Sequence, residues 1–134
     1  MDLIKIIENE IDCRKSCLKK YHEQIIKNIE NDKIISHDMA RNFKQNYQSE
    51  YERMQYEEIL NRLKSCEQTS DCQLNLLYDY IEYYTTELTN CQLFRSSTDI
   101  ICNVCSMFQS ESKQRILNRL ECLKNSLVRL NASH

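Results

Sequence analysis

The sequence predicts an all-α protein, an antiparallel helical bundle of four main helices plus one short helix, and three observations lead to it. Apolar residues recur at three- and four-residue steps through most of the chain, short polar stretches interrupt that pattern, and neither glycine nor proline occurs. With 134 residues, 41% of them hydrophobic and 28% charged, the chain has globular composition and the length of one domain spanning 1–134.

The first helix is expected over about residues 2–31, where Ile4, Ile7, Ile11, Leu18, Tyr21, Ile25 and Ile29 form one stripe. Arg14 interrupts that stripe at a position where an apolar residue belongs. The pattern fades at Asn31 and Asp32, and Ser36 offers an N-cap for a second helix over about 36–66. Its stripe, Met39, Phe43, Tyr47, Tyr51, Met54, Ile59, Leu60 and Leu63, is thinner, with Glu57 and Glu58 facing out near Arg62.

A turn is expected at about 67–71, where polar residues from Ser65 to Asp71 supply several caps. The third helix, about 71–95, carries Leu74, Leu77, Ile81, Tyr84, Leu88 and Cys91, with Tyr78, Tyr80 and Tyr83 partly off that face. Ser96 to Asp99 marks the next break. A short helix with Ile100, Ile101, Val104, Cys105 and Phe108 is expected to end near Ser110, which caps a last helix bearing Ile116, Leu117, Leu120, Leu123, Leu127 and Leu130. This last stripe has heptad spacing over too few heptads to specify a coiled coil; it serves either a bundle core or a partner helix. Helices near 30 residues reach about 45 Å, which suits an elongated bundle.

The missing glycine and proline carry less structural weight than they first suggest. Alanine, the best helix former, occurs only at Ala40 and Ala132, and tryptophan is absent, while Ile, Asn, Lys and Tyr abound. Codon supply in an A/T-rich genome, such as that of a virus, protist or intracellular parasite, accounts for this bias. The absence of glycine has a chemical consequence all the same. Phosphate-cradling loops and the Gly-x-Ser-x-Gly nucleophile elbow need glycine for close backbone approach, so nucleotide sites of the common kinds and that hydrolase motif are excluded.

Net charge is −2, but its distribution is uneven. From Glu50 to Asn90 nine acids stand against three bases, and from Glu111 to His134 two acids stand against five bases. The first reading is that the two segments pack antiparallel; the second is a partner-binding basic patch. The start, Met1-Asp2-Leu3-Ile4-Lys5, lacks the apolar run of a secretory signal, and no window approaches the ~18 apolar residues of a membrane span. An intracellular protein, cytoplasmic or nuclear, is expected.

Eight cysteines admit three readings. They are small core residues in a reducing compartment, or a disulfide framework, which would place the chain in a setting such as the mitochondrial intermembrane space, or zinc ligands drawn from Cys13, Cys17, Cys102 and Cys105. The core reading is preferred, because Cys105 falls on an apolar stripe and structural zinc pairs favour turns. Zinc is the weak alternative, and no other cofactor is expected. His22, His37 and His134 are scattered, with His22 expected on a helix surface, and adjacent carboxylates such as Glu57 and Glu58 diverge on a helix, so no catalytic constellation forms.

The function expected first is a non-enzymatic interaction protein: a subunit, adaptor or host-factor binder. Its partner surface is placed at Tyr78, Tyr80 and Tyr83 on the third helix and at Leu120 and Leu127 on the seam of the last, facing a protein partner or a second copy. A thiol, disulfide or zinc protein is the alternative. Nucleic-acid association through the basic last helix comes third.

Overall fold

The computed structural model describes the backbone of residues 2–30, 37–66, 69–93 and 100–132, and side chains at 2–19, 43–66, 69–90 and 106–132. Four helices follow one another: α1 (Leu3–Glu30), α2 (His37–Ser65), α3 (Ser70–Leu93) and α4 (Ile100–Ala132). The expected cap at Ser36, the loss of pattern at Asn31–Asp32 and the break at Ser96–Asp99 lie outside the described residues.

Local chemistry starts two of these helices. The Asp2 carboxylate accepts from the Lys5 N–H at 3.1 Å, and its carbonyl accepts from the Ile6 N–H. Thr69 performs the same service for α3, its hydroxyl accepting from the Cys72 N–H at 3.2 Å and its carbonyl from the Gln73 N–H at 3.1 Å. A disulfide between Cys66 and Cys72, with Cα atoms 6.3 Å apart, closes the turn between α2 and α3 where the sequence placed it.

One expected boundary is absent. The chain does not stop at Ser110 to form a short helix and a long one; α4 runs unbroken for 33 residues, about 50 Å. The reason is tertiary. On either side of Ser110 the helix is held to α2: Gln48 donates to the Phe108 carbonyl at 3.1 Å and to Glu111 at 2.9 Å, and Ser112 donates to Glu52 at 2.8 Å. A serine's weak preference for a cap is smaller than these contacts together.

Consecutive helices run antiparallel, so α2 and α4 run parallel. These two meet along Lys44, Gln48 and Glu52 on one side and Phe108, Glu111, Ser112 and Arg115 on the other. α1 lies along α2, and α3 along α4. The α2 and α3 backbones lie close at only a few positions, so side chains fill the space between them.

Among the described residues the apolar core lies toward the end of the bundle that holds the disulfide. Leu3, Ile7 and Ile11 of α1 meet Tyr56, Ile59 and Leu63 of α2, Leu77, Tyr80 and Tyr84 of α3, and Ile116, Leu117, Leu120, Leu123 and Leu127 of α4. Two expected stripes shift. In α1 the inward residue of the first turn is Leu3, with Ile4 only partly buried. In α2 the inward line reads Gln48, Glu52, Tyr56, Ile59 and Leu63, so the first half of that helix turns polar groups inward and leaves Phe43 and Met54 half exposed.

Candidate partner surface and the polar layer behind it

The break in the α1 stripe at Arg14 is answered by Glu52. Arg14 Nη2 donates to Glu52 Oε1 at 3.0 Å, and Arg14 Nη1 donates to Glu10 Oε2 at 2.6 Å and to the Glu10 carbonyl at 2.9 Å. The guanidinium also covers the Tyr56 ring, 4.8 Å from its centroid. Glu52 receives two further donors at Oε2, Ser112 and Arg115, both at 2.8 Å. Arg119 closes the chain of charges on Glu10 at 2.9 Å.

This layer lies above the apolar core and ties α1, α2 and α4 together. Burial pushes the Glu52 carboxyl up, but hydrogen bonds from Arg115, Arg14 and Ser112 outweigh it and hold the group below its ordinary range. Burial likewise opposes the charge of Arg14, and the bonds to Glu52 and Glu10 more than restore it. A carboxylate saturated with donors and held ionised is a poor proton acceptor, so the arrangement fixes position rather than moving protons. Arg14 Nε is buried without a partner, a cost charged against the layer's stability.

Of the five residues expected to face a partner, two are exposed. Tyr78 and Tyr83 are 47% and 48% exposed. Tyr80 is 6% exposed, stacked on Tyr84 with ring centroids 6.3 Å apart, and its hydroxyl accepts from Arg62 at 3.5 Å. Leu120 and Leu127 are buried in the chain's own core. The heptad seam is therefore filled from within as far as Leu127, where residues of α1, α2 and α3 join the same core, and only its last member, Leu130, is exposed among the described residues.

Tyr78 and Tyr83 flank the outward face of α3. At 100° per residue, Tyr78, Glu82, Asp79 and Tyr83 follow one another around the helix, all exposed, so two rings bracket two carboxylates. Lys124 of α4 sits over the Tyr78 ring at 5.6 Å, whereas among the described residues no cation lies over the equally exposed Tyr83. Tyr83 meets the buried Tyr84 edge-on with centroids 5.2 Å apart, and the Tyr84 hydroxyl donates to Gln55 of α2 at 3.0 Å. Burial first, and then the Glu87 carboxylate, raise the Tyr83 hydroxyl above its ordinary pKa.

Beside Tyr83 a cleft of about 220 Å³ opens between α2 and α3, lined by Gln55, Glu58, Arg62, Asp79, Tyr80 and Tyr83. Arg62 stacks over Tyr80 at 5.3 Å inside it. A second, wider groove of about 410 Å³ follows the α1–α2 seam past Glu8, Asp12, Lys15 and Glu57. Met54, 55% exposed, stands on α2 one helical turn before Glu58. Sequence reasoning named Tyr83 but missed Glu58, Asp79 and Met54, because nothing local tells which part of the α2 surface faces α3.

The cysteines divide. Cys66 and Cys72 are bonded, whereas Cys13, Cys17 and Cys122 are free and exposed, which corrects the expectation of core thiols for all five. The side chains of Cys91, Cys102 and Cys105, and of His22, lie outside the described residues, so the proposed set Cys13, Cys17, Cys102 and Cys105 is not brought together by what is described. Among the described residues no cluster of three or more metal-ligating side chains forms. No helix among them is long and apolar enough to cross a membrane.

The basic residues of α4 are engaged within the chain. Arg115 and Arg119 bind Glu52 and Glu10, and Lys113 reaches Glu87 of α3 at 3.7 Å. The opposed charges of middle and end thus meet in two geometries, across the antiparallel pair α3 and α4 and across the parallel pair α2 and α4. Comparison with protein-family models, curated proteins and solved structures finds no match to this chain.

Proposed function

We propose that this chain is a non-enzymatic helical interaction protein, a subunit or adaptor that presents the outer face of α3 and the α2–α3 cleft to a protein partner. One observation carries the reading. Tyr83 is half exposed yet held in place by its edge-on contact with the buried Tyr84, so a large amphipathic ring is offered with little freedom left to lose. The ionised groups of the interior support it as well, since Glu52 is already saturated with donors from its own chain.

The test is capture of partners from the native cell with the wild-type chain and with a Tyr78→Ala, Tyr83→Ala variant, helicity being checked by circular dichroism. Loss of a captured protein by a folded variant is expected. Retention of every partner removes this surface from consideration.

A second reading, a thiol or disulfide protein, is favoured by the Cys66–Cys72 bond together with exposed Cys13, Cys17 and Cys122. Disulfides persist in oxidising compartments, the mitochondrial intermembrane space among them, so a chain that keeps this bond acts in one whichever reading holds, and in the cytoplasm or nucleus Cys66 and Cys72 would be reduced. Counting free thiols and zinc on protein purified without reductant separates the two: fully reactive cysteines and no zinc remove the second.

A further inference from the structure

The charge around Tyr83 says more about what it binds, given the interaction reading above, on which this inference rests. Three exposed carboxylates, Glu58, Asp79 and Glu82, surround a ring whose neighbour in the cleft, Tyr80, already carries an arginine. Among the described residues Arg62 is the only cation lining that cleft. Acidic groups also line the neighbouring α1–α2 groove at Glu8 and Asp12, whereas Glu57 there is already paired with Arg53 at 2.7 Å.

The chain itself shows what such sites accept. Arg14 over Tyr56 beside Glu52, and Arg62 over Tyr80, are two instances of a guanidinium lying on a tyrosine ring, the first with a carboxylate at its edge. Tyr83 shares the cleft with Asp79, one helical turn before it, and Glu58 across it, two carboxylates that also attract Arg62, and among the described residues no arginine lies over the Tyr83 ring. We propose that the α2–α3 cleft seats an arginine from a basic, amphipathic segment of a partner protein, its guanidinium over Tyr83 and its charge against Glu58 and Asp79, with Glu82 and Met54 meeting the flanking residues.

The cleft's size agrees. About 220 Å³ suits one long side chain rather than a small-molecule ligand, whose pockets run about 300–1,000 Å³. A planar guanidinium stacks on an aromatic face while pairing with a carboxylate in its own plane, which an ammonium does less well. Nucleic acid is disfavoured at this face, because the carboxylates that attract arginine repel phosphate.

The experiment uses the full chain and two labelled synthetic helical peptides with the same apolar residues, one bearing arginines and the other glutamates at i, i+4 positions, read by fluorescence anisotropy. The arginine peptide is expected to bind and the glutamate peptide not, with affinity falling as salt is raised. Tyr83→Ala should weaken binding by about tenfold, Tyr83→Phe should leave it nearly unchanged, and Asp79→Lys with Glu82→Lys should abolish it. Equal binding of both peptides, binding of neither at submillimolar concentration, or indifference to the charge reversal overturns the proposal.

Partner capture separates this outcome from failure of the interaction reading. A partner lost on Tyr83→Ala but kept on Asp79→Lys, Glu82→Lys leaves the interaction surface standing and removes the arginine. Partners kept by both variants remove the surface itself. A wild-type dimer in light scattering that dissociates on the charge reversal assigns the cleft to a second copy and overturns the proposal in favour of self-association.

Discussion

Arg14 and Glu52 stand 38 positions apart in the chain and meet at 3.0 Å, a buried ion pair joining α1 to α2 directly above the apolar core. Neither residue belongs on an amphipathic stripe, and each explains the other. Taking such charges out of water costs several kcal/mol, which their attraction and hydrogen bonds only roughly repay. The pair therefore specifies how the helices align more than it stabilises them.

That view predicts a distinct pattern of stabilities. Arg14→Ala or Glu52→Ala alone should cost about 3 kcal/mol, because each leaves a buried charge with fewer partners. Arg14→Leu combined with Glu52→Leu should recover most of that loss. Urea unfolding of the four chains gives the coupling directly, and simple additivity of the single effects would sink the idea.

Acid should weaken the fold through the same carboxylate. The Glu52 pKa is held below the ordinary 4.5 in the folded chain, so the unfolded chain takes up its proton first as pH falls. The stabilisation is complete above the ordinary value and is lost progressively as pH drops through the folded one. Stability measured by urea unfolding should be flat near neutrality and fall below about pH 4.5, with a shallower fall in Glu52→Gln. Identical slopes in the two chains would show that other carboxylates dominate.

The Cys66–Cys72 bond closes a short loop, for which chain-entropy arguments give about 2 kcal/mol of stabilisation. Cys66→Ser with Cys72→Ser should therefore lower Tm by roughly 5–10 °C while keeping the helical signal. Alkylation of the native protein followed by peptide mass spectrometry should label Cys13, Cys17 and Cys122, and should spare Cys66 and Cys72 until reductant is added. Labelling of Cys66 without reductant contradicts the bond.

Two tyrosines three residues apart should behave oppositely. Tyr80→Ala removes a buried ring from the α3 core and should cost about 3 kcal/mol, whereas Tyr83→Ala should change stability by under about 1 kcal/mol. Leu120→Ala belongs with the first and should cost about 2–5 kcal/mol. Thermal melts of the three variants rank them, and a Tyr83→Ala loss as large as that of Tyr80→Ala would mean that Tyr83 is a packing residue.

Much of the architecture was legible because helical periodicity is a local signal. Ile7, Ile11, Leu77, Tyr84, Ile116 and Leu123 fall on the expected inward stripes and are buried, whereas Leu120 and Leu127, placed on a partner surface by their heptad spacing, are buried as well. The failures lie where two elements decide together. Ser110 reads as a helix start until Gln48 and Glu52 reach across from α2, and Phe43 and Met54 read as core until Gln48 and Glu52 take the inward positions of that helix. The site was half legible: Tyr78 and Tyr83 fall off the α3 stripe by spacing alone, but Tyr80 also does, and only the closeness of Arg62 and Tyr84 shows it to be covered.

The sequence by itself determined an all-helical chain, the turn between α2 and α3, and most of the residues that line the core. These follow from the 3.6-residue repeat and from polar residues at helix ends, which act within a few positions of one another. Tertiary packing settles why Arg14 interrupts its stripe, that Cys66 pairs with Cys72, that Leu120 and Leu127 lie in the chain's own core, and that Tyr80 is covered while Tyr83 is exposed beside acidic neighbours. Each of those depends on groups far apart in the chain, whose meeting is set by how whole helices pack and by the cost of leaving a buried charge unpaired.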